Sequence, residues 1–214
     1  MNVKKVDLES YPRKAHFQYF KSMAYPYVGV TVNIDIIELH HIIKKEKLPF
    51  FLSVLYVASK AANSVPELRR RINGEDILEY SYCNTSHTVA LEDGTYCYCE
   101  LDSSMDFKTY IEYGIQKQNN AKEKGVLEEG KDAESFLFVS SLPWLSYTSL
   151  IQPVPHPADS NPRITFGRFF EQDNKILLPT SILANHALVD GKHISEFYEY
   201  FNEIMKELKN ELSI

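Results

Sequence analysis

Apolar residues recur at helical spacing near the C-terminal end of the chain. Ile194, Phe197, Phe201, Ile204 and Leu208 are spaced 3, 4, 3 and 4 residues apart, which places their side chains on one face of a helix. The spacing therefore predicts an amphipathic C-terminal helix that packs this face against the rest of the protein.

Three further segments are predicted to be helical. Residues 36–47 carry apolar side chains at helical spacing, and the carboxylate of Asp35 is expected to cap their first turn. Residues 50–65 form a nearly continuous apolar run, which is typical of a helix that is buried on most sides. A polar, lysine-rich helix is predicted from Asp106 to Lys124, with Gly125 ending it.

The other apolar patterns predict strands. The predicted strand segments are residues 28–34, the region 77–101 with three or four short strands, 136–141, 163–170 and 175–186. A polar turn around Gln172, Asp173 and Asn174 is expected to join the last two. Residues 151–163 contain four prolines, so we expect a loop or an edge strand there.

The order of these elements predicts the fold class. Helices and strands are mixed along the chain, and several short strands are consecutive, which favours a mixed sheet over a doubly wound parallel one. We therefore expect an α/β fold (an α+β two-layer sandwich) with a mixed β-sheet flanked by helices. The 214 residues fit a single domain spanning 1–214, and a chain of this length needs no disulfide or metal to fold.

Composition excludes several function classes. The chain has 23 Lys and Arg against 29 Asp and Glu, a net charge of −6, which argues against nucleic-acid and anionic-membrane partners because both need a basic face. Its three cysteines indicate a reducing compartment and no disulfide framework, and Cys97 and Cys99 lack the second pair that zinc needs. Without a signal peptide or an apolar run of membrane-spanning length, we expect a cytoplasmic protein.

The candidate catalytic residues lie in segment 185–191, Asn-His-Ala-Leu-Val-Asp-Gly, between the last predicted strand and the C-terminal helix. Histidine titrates near neutral pH, so His186 suits the removal of a hydroxyl or thiol proton. Asp190 and Gly191 suit a helix cap and a tight turn. The same pattern also occurs as a simple cap beside a hydrogen-bonded imidazole, and the spacing alone leaves both interpretations open.

Other blocks of the chain extend this motif. They read YPRKAHFQYF from Tyr11, VPELR from Val65, FVSSLPWLSYTS from Phe138, and ITFGRF followed by ILLPTSILANHALVDGKH. In this order and with these separations, the blocks resemble the chloramphenicol acetyltransferases of the H-x-x-x-D-G type over essentially the whole chain. The H-x-x-x-D-G motif is shared with dihydrolipoyl acyltransferase cores, whereas the P-W segment and the R-x-x-H-F block are not.

The resemblance implies direct transfer of acetyl from acetyl-CoA to an acceptor hydroxyl, with no permanently bound cofactor. His186 would be the general base, its Nδ1–H held by a backbone carbonyl so that Nε2 can accept a proton. Ser140, four positions before Trp144, would stabilise the tetrahedral oxyanion. Thr165, 21 positions before His186, would assist through bound water.

The resemblance also implies an ion pair that supports the site. Asp190 would pair with Arg13 of the R-x-x-H-F block and tie the N-terminal segment to the active-site turn. A buried pair of this kind is costly to break, because one charge is left unpaired. Judged from the sequence around it alone, Arg13 is instead a solvated residue at the start of a helix.

The same resemblance implies an acceptor pocket, and some of its residues differ from the family pattern. The residues assigned to it are Tyr19, Phe20, Val28, Tyr96, Leu150 and Gln152. Val28, Leu150 and Gln152 stand where the family has phenylalanine, phenylalanine and leucine. We therefore expect a smaller, more polar pocket that accepts chloramphenicol weakly or selects another acceptor.

Positions assigned to the coenzyme are also altered. Arg168 and Phe169 stand where the family has a lysine–tyrosine pair at the adenine end, so a charge and an aromatic ring are kept. Pro49 replaces a family lysine near the coenzyme phosphates, with Lys47 nearby as a substitute. Asn185 replaces the first histidine of the usual His-His pair.

The predicted function is that of a chloramphenicol O-acetyltransferase involved in antibiotic resistance. Its partners would be acetyl-CoA, a small-molecule acceptor and two further copies of the chain, in a homotrimer with active sites at the subunit interfaces. The alternatives are an acetyltransferase of the same family with another acceptor and a non-catalytic CoA- or drug-binding relative. A lipoyl-linked acyltransferase core is a further alternative, which usually carries lipoyl and linker segments.

Overall fold

The structure is a computed structural model that describes residues 2–128, 130 and 132–212. The two ends of the predicted 1–214 domain therefore lie outside the described residues. The helices are α1 Lys14–Lys21, α2 Ile37–Glu46, α3 Phe50–Ser64, α4 Phe107–Lys124 and α5 Gly191–Leu212. The strands are β1 Val3–Lys5, β2 Tyr27–Asp35, β3 Arg70–Asn73, β4 Asp76–Tyr80, β5 Thr85–Ala90, β6 Tyr96–Leu101, β7 Leu137–Leu142, β8 Arg163–Gly167, β9 Phe170–Gln172 and β10 Lys175–Asn185.

The predicted mixed sheet flanked by helices is confirmed. The main sheet has the strand order β2-β10-β8-β7-β5-β6, and β9 pairs with β10 beside β8. Strands β5, β7 and β8 are parallel to one another, whereas the other pairs of this sheet are antiparallel. A smaller antiparallel sheet has the order β1-β4-β3.

Helices cover one face of the main sheet. Phe51 of α3 places its ring 5.2 Å from that of His87 on β5 and 6.4 Å from that of Phe166 on β8, measured between centroids. Tyr198 of α5 donates a hydrogen bond to the carbonyl of Thr180 on β10, 2.8 Å away. The core therefore lies between this face and helices α3 to α5.

Local sequence signals place both ends of α4 correctly, whereas the start of α2 differs from the prediction. The carboxylate of Asp106 caps α4 by accepting from the N–H of Thr109 at 3.0 Å, and Gly125 ends it at φ 60°. In α2 the expected cap is displaced, because Asp35 is the last residue of β2 and its carboxylate accepts from the N–H of Ile37 at 3.2 Å.

The predicted strand over residues 163–170 is in fact two strands, β8 and β9. The backbone leaves the sheet at Arg168, whose N–H donates to the carbonyl of Leu145, 2.7 Å away. The single strand β10 pairs with both pieces, and Asp173 and Asn174, both at positive φ, form the two-residue turn between β9 and β10.

The segment from Pro143 to Pro162, with the proline-rich stretch in it, folds back over the second face of the sheet as irregular chain. The hydroxyl of Tyr147 donates to the carbonyl of Thr165 at 2.8 Å. At Gly167 a Cβ atom would lie 2.9 Å from the carbonyl oxygen of Leu145, so only glycine permits this close approach. Trp144 and Ile151 are 69% and 94% exposed.

Candidate active site

His186 follows β10 directly and lies in the turn that leads into α5. Its Nδ1 is 2.8 Å from the carbonyl oxygen of Val189. Since a carbonyl only accepts, Nδ1 carries the hydrogen and Nε2 is left able to accept a proton. The ring stacks on Phe20 of α1, with 3.9 Å between centroids and 25° between planes. This is the arrangement that a general base requires.

Arg13 connects the start of α1 to this turn. Its guanidinium donates to the carbonyl of Leu188 and, at 3.3 Å, to that of His186, and its Nε lies 3.3 Å from Oδ2 of Asp190. The Arg13 side chain is only 13% exposed, so the interpretation as a solvated residue is wrong. The structure therefore brings Arg13 and Asp190 together beside His186.

Asp190 also caps α5. Its Oδ1 accepts from the N–H of Lys192 at 3.0 Å. Partial burial alone raises the pKa of this carboxyl, but the electrostatic interactions with His193 and with the Arg13 guanidinium, together with the nearby backbone N–H groups, outweigh the burial. The pKa of Asp190 is therefore lowered.

Asn185 contributes to the turn in a way that sequence reasoning missed. Its side chain is buried; Nδ2 donates to the carbonyl of Asp159 at 2.9 Å and Oδ1 accepts from the N–H of Ala187 at 3.0 Å. Asp159 is held in turn by two hydrogen bonds from Arg163. The signal in the sequence was an asparagine at a turn, where its amide commonly bonds to the backbone.

A row of hydroxyl groups crosses the second face of the sheet. Ser140 on β7 pairs with Thr165 on β8, and Thr165 pairs with Ser181 on β10. The row continues on both sides, because Thr88 Oγ1 is 3.2 Å from Ser140 Oγ and Thr31 Oγ1 is 2.7 Å from Ser181 Oγ. Paired residues of neighbouring strands point to the same side of a sheet, so these hydroxyls face the same space.

The structure does not bring Ser140 or Thr165 to His186. Ser181, the partner of Thr165, precedes His186 by five residues, which corresponds to about 16 Å along an extended strand. Ser140 is one strand beyond Thr165, or about 5 Å further across the sheet. Within one chain, the Ser140 hydroxyl is therefore too far from the His186 ring for both to contact one reacting group.

The site thus consists of two separate parts. We call the first the base half, made of His186, Arg13, Asp190, Asn185 and Phe20. We call the second the hydroxyl half, made of Thr88, Ser140, Thr165, Ser181 and Thr31. Each half is built by its own hydrogen bonds within the chain.

The residues predicted to bind the acceptor are divided between the halves. Phe20 contacts His186, Tyr19 contacts Phe20 with 5.1 Å between ring centroids, and Val28 on β2 pairs with Ala184 near the end of β10. Tyr96 starts the edge strand β6, on the far side of the sheet from β2. Leu150 and Gln152 lie half-buried in the irregular segment between β7 and β8.

The residues predicted to bind the coenzyme lie between β8 and β9. Arg168 is exposed. The ring of Phe169 contacts those of His40 and Phe50, with centroids 5.1 and 5.2 Å apart. The cluster therefore connects the segment between β8 and β9 to helices α2 and α3.

Thiols, possible metal ligands and the lengths of the helices complete the description of these residues. Cys83, Cys97 and Cys99 are buried free thiols. Among residues 2–128, 130 and 132–212, no three His, Cys, Asp or Glu side chains gather as metal ligands. In that same part of the chain, none of the helices has the length and apolar character to cross a membrane.

Comparison with known proteins places these features in a family. The family model described as chloramphenicol acetyltransferase matches residues 1–204. Curated chloramphenicol acetyltransferases are similar over nearly their whole length. That of Bacillus pumilus is 26% identical over 207 residues, covering 95% of this chain and 93% of the relative. That of Clostridium perfringens is 28% identical over 204 residues, covering 93% of each.

Solved structures agree with the observed fold. A chloramphenicol acetyltransferase superposes with a TM-score of 0.82 at 21% identity, covering 95% of this chain and 100% of the other. The cubic core of a pyruvate dehydrogenase multienzyme complex superposes with a TM-score of 0.64 at 14% identity, covering 94% of this chain and 89% of the other. At these identities the likeness concerns the fold alone.

Proposed function

The chain belongs to the chloramphenicol acetyltransferase family, and from that premise we propose that this acyltransferase moves acetyl from acetyl-CoA to a hydroxyl of a small acceptor. The observation that carries the proposal is the hydrogen bond from His186 Nδ1 to the carbonyl of Val189. It keeps Nε2 as a proton acceptor, and the stacked ring of Phe20 holds the imidazole plane. A histidine that only caps a helix does not need a free, oriented Nε2.

The proposed reaction needs no acyl-enzyme. His186 Nε2 takes the proton of the acceptor hydroxyl while the oxygen attacks the thioester carbonyl, which forms a C–O bond and a tetrahedral oxyanion. Ser140 donates its O–H to that oxyanion, and Thr165 assists through bound water. Collapse of the intermediate breaks the C–S bond, and the imidazolium returns its proton to the departing thiolate of CoA.

We propose that the two halves of the site come from different copies of the chain. The separation of His186 from Ser140 within one chain supports this proposal, because a ring of copies joins the two halves at each interface. Apolar side chains exposed beside each half support such an interface: Tyr19 and Tyr25 beside the base half, and Trp144, Leu145 and Ile151 after β7. A homotrimer is the proposed assembly.

Chloramphenicol is the first candidate acceptor, which makes antibiotic resistance in the cytoplasm the proposed role. Val28, Leu150 and Gln152 support the second candidate, a different small hydroxylated acceptor, because they replace larger apolar residues of the family pattern. The non-catalytic alternative is disfavoured by the contact of Arg13 with Asp190 and by the oriented His186. Arg168 and Phe169 are the proposed contacts for the nucleotide end of acetyl-CoA.

A thiol-release assay tests the proposal. Wild-type protein, acetyl-CoA and a panel of hydroxylated acceptors that includes chloramphenicol should release CoA thiol. His186→Ala should lower kcat by about 10³-fold, since removal of a general base costs about 10²- to 10⁴-fold, while acetyl-CoA binding measured by calorimetry changes little. His16→Ala, which removes an exposed histidine of α1, is the matched control and should keep full turnover. Near-wild-type turnover in His186→Ala would exclude the mechanism.

A further inference from the structure

Thr88 lies on β5 directly beside the proposed oxyanion donor. Its Oγ1 is 3.2 Å from Ser140 Oγ, and either atom can be the donor. We propose that Thr88 is a positioning residue for acetyl transfer: its hydroxyl donates to Ser140 and so keeps the Ser140 hydrogen available for the oxyanion. The inference rests on the proposed function, because it takes Ser140 as the oxyanion donor.

The direction of this hydrogen bond follows from counting donors. A hydroxyl has one hydrogen to donate and lone pairs that accept. If Ser140 donated to Thr88, its hydrogen would be used and the oxyanion would receive none. A hydrogen bond to an anion is stronger than one between neutral hydroxyls. The developing oxyanion therefore takes the hydrogen of Ser140, and Thr88 turns its own hydrogen toward Ser140 Oγ.

This relay also makes Ser140 a better donor. Successive hydrogen bonds in a chain polarise one another, so a serine hydroxyl that accepts a bond donates more strongly. Thr88 and Ser140 directly follow His87 and Val139, which are paired between β5 and β7, while the other edge of β5 pairs Thr88 with Tyr98. Residues at matching positions of neighbouring strands point to the same side of a sheet, so the two hydroxyls face the same space. The relay is thus built into the sheet and needs no rearrangement during the reaction.

Strand geometry explains why threonine suits this position. Its β-branched side chain is restricted at χ1, and β5 is hydrogen-bonded on both edges, to β6 and β7. An unbranched serine hydroxyl such as that of Ser140 can point in several directions. A fixed partner at 3.2 Å reduces that freedom, and electrostatic stabilisation depends on donors that are oriented before the charge develops.

Steady-state kinetics on the full chain test the inference. Thr88→Val removes the hydroxyl and keeps the shape, and we expect kcat to fall roughly three- to tenfold, the effect of one hydrogen bond, with little change in either KM. Thr88→Ser, which restores a hydroxyl, should recover most of the loss. Ser86→Ala is the matched control, because Ser86 lies on the same face of β5 but pairs with Phe138. Thr88→Ala gives the same comparison if Thr88→Val does not fold.

A double-mutant comparison separates positioning from a general structural effect. In the Ser140→Ala background, Thr88→Val should cause no further loss of kcat, because its effect acts through Ser140. An equal further loss would overturn the inference, as would a Thr88→Val variant with wild-type kcat when Ser140→Ala is impaired. If Ser140→Ala itself turned over at the wild-type rate, the proposed role of Ser140 would fail, and the inference with it.

Discussion

The orientation of His186 depends on contacts that are complete within a single chain. Its Nδ1 donates to Val189, Phe20 covers one side of the ring, and its backbone N–H donates to the carbonyl of Pro26 at 2.7 Å. Asn185, the residue before His186, is itself fixed by side-chain hydrogen bonds to the backbone at Asp159 and Ala187. The chain by itself thus orients the His186 ring, and in the proposed mechanism this orientation lowers the reorganisation required during catalysis.

We also propose that residues near His186 determine which acceptor fits. Val28 is half-buried on β2 beside the end of β10, where the family pattern has a phenylalanine. Replacing Val28 and Leu150 by phenylalanine adds apolar surface, worth about 25 cal/mol per Å² buried. A gain of roughly 1–2 kcal/mol should lower the KM for chloramphenicol about five- to thirtyfold, with kcat nearly unchanged, as measured by thiol release.

The control for that experiment lies on the same strand. Val32 is exposed, on the same side of β2 as Val28 and further from His186, so Val32→Phe adds a ring of the same size away from the base. It should leave the KM for chloramphenicol unchanged. If the wild type acetylates another acceptor but never chloramphenicol, even at millimolar concentration, the enzyme class is right and the acceptor is wrong.

At the scale of elements, Arg13 joins α1 to the turn before α5. Arg13→Gln and Asp190→Asn should each lower the free energy of unfolding and the turnover. A double-mutant cycle on urea denaturation should show coupling within the range of about 0.5–3 kcal/mol for contacting residues. The coupling should lie at the low end, because the Asp190 side chain is 36% exposed and solvent screens the pair.

The exposed pair Glu9 and Lys14, which contacts across the start of α1, is the matched control. Glu9 is 86% exposed, so Glu9→Gln with Lys14→Gln should show almost no coupling. Strictly additive effects of Arg13→Gln and Asp190→Asn would mean that the two side chains do not interact in solution.

The same pair predicts how stability depends on pH. The pKa of Asp190 is lower in the folded protein than its ordinary value. The ionised carboxylate therefore contributes fully to the free energy of unfolding when the pH is above that ordinary value. This contribution is lost as the pH falls through the lowered pKa. The difference in unfolding free energy between wild type and Asp190→Asn should therefore shrink on acidification, and a constant difference would contradict the assignment.

At the scale of the whole molecule, the proposed shared site can form only between copies of the chain. We predict that light scattering gives three times 24.7 kDa, about 74 kDa, and that two inactive variants complement each other. His186→Ala and Ser140→Ala are each impaired, but a co-refolded mixture contains interfaces with an intact His186 from one copy and an intact Ser140 from its neighbour. Random mixing into trimers should restore about a quarter of the wild-type activity.

Complementation distinguishes the shared site from its alternative. If both residues acted within one chain, every site in the mixture would lack one of them and activity would not return. Mixing His186→Ala with wild type is the control for subunit exchange, and it should show the same exchange rate by mass spectrometry. A fully active monomer at low concentration would also exclude the shared site.

Several features of this protein were determined by the sequence alone, because their physical causes lie between neighbouring residues. The ends of α4 follow from Asp106 and Gly125, and the buried face of α5 follows from the spacing of Ile194, Phe197 and Phe201. Met205 rather than Ile204 completes that buried face. The motif around His186, with blocks of similar order elsewhere, was sufficient to predict the family and the fold.

Only the tertiary structure decided how the functional residues are distributed in space. The distance between His186 and Ser140 depends on strand order and register, and the contact of Thr88 with Ser140 joins residues 52 positions apart in the chain. The break between β8 and β9 depends on a hydrogen bond from Arg168 to Leu145. Such pairings are set by the packing of the whole chain, and apolar patterns within one segment do not specify which strand becomes its neighbour.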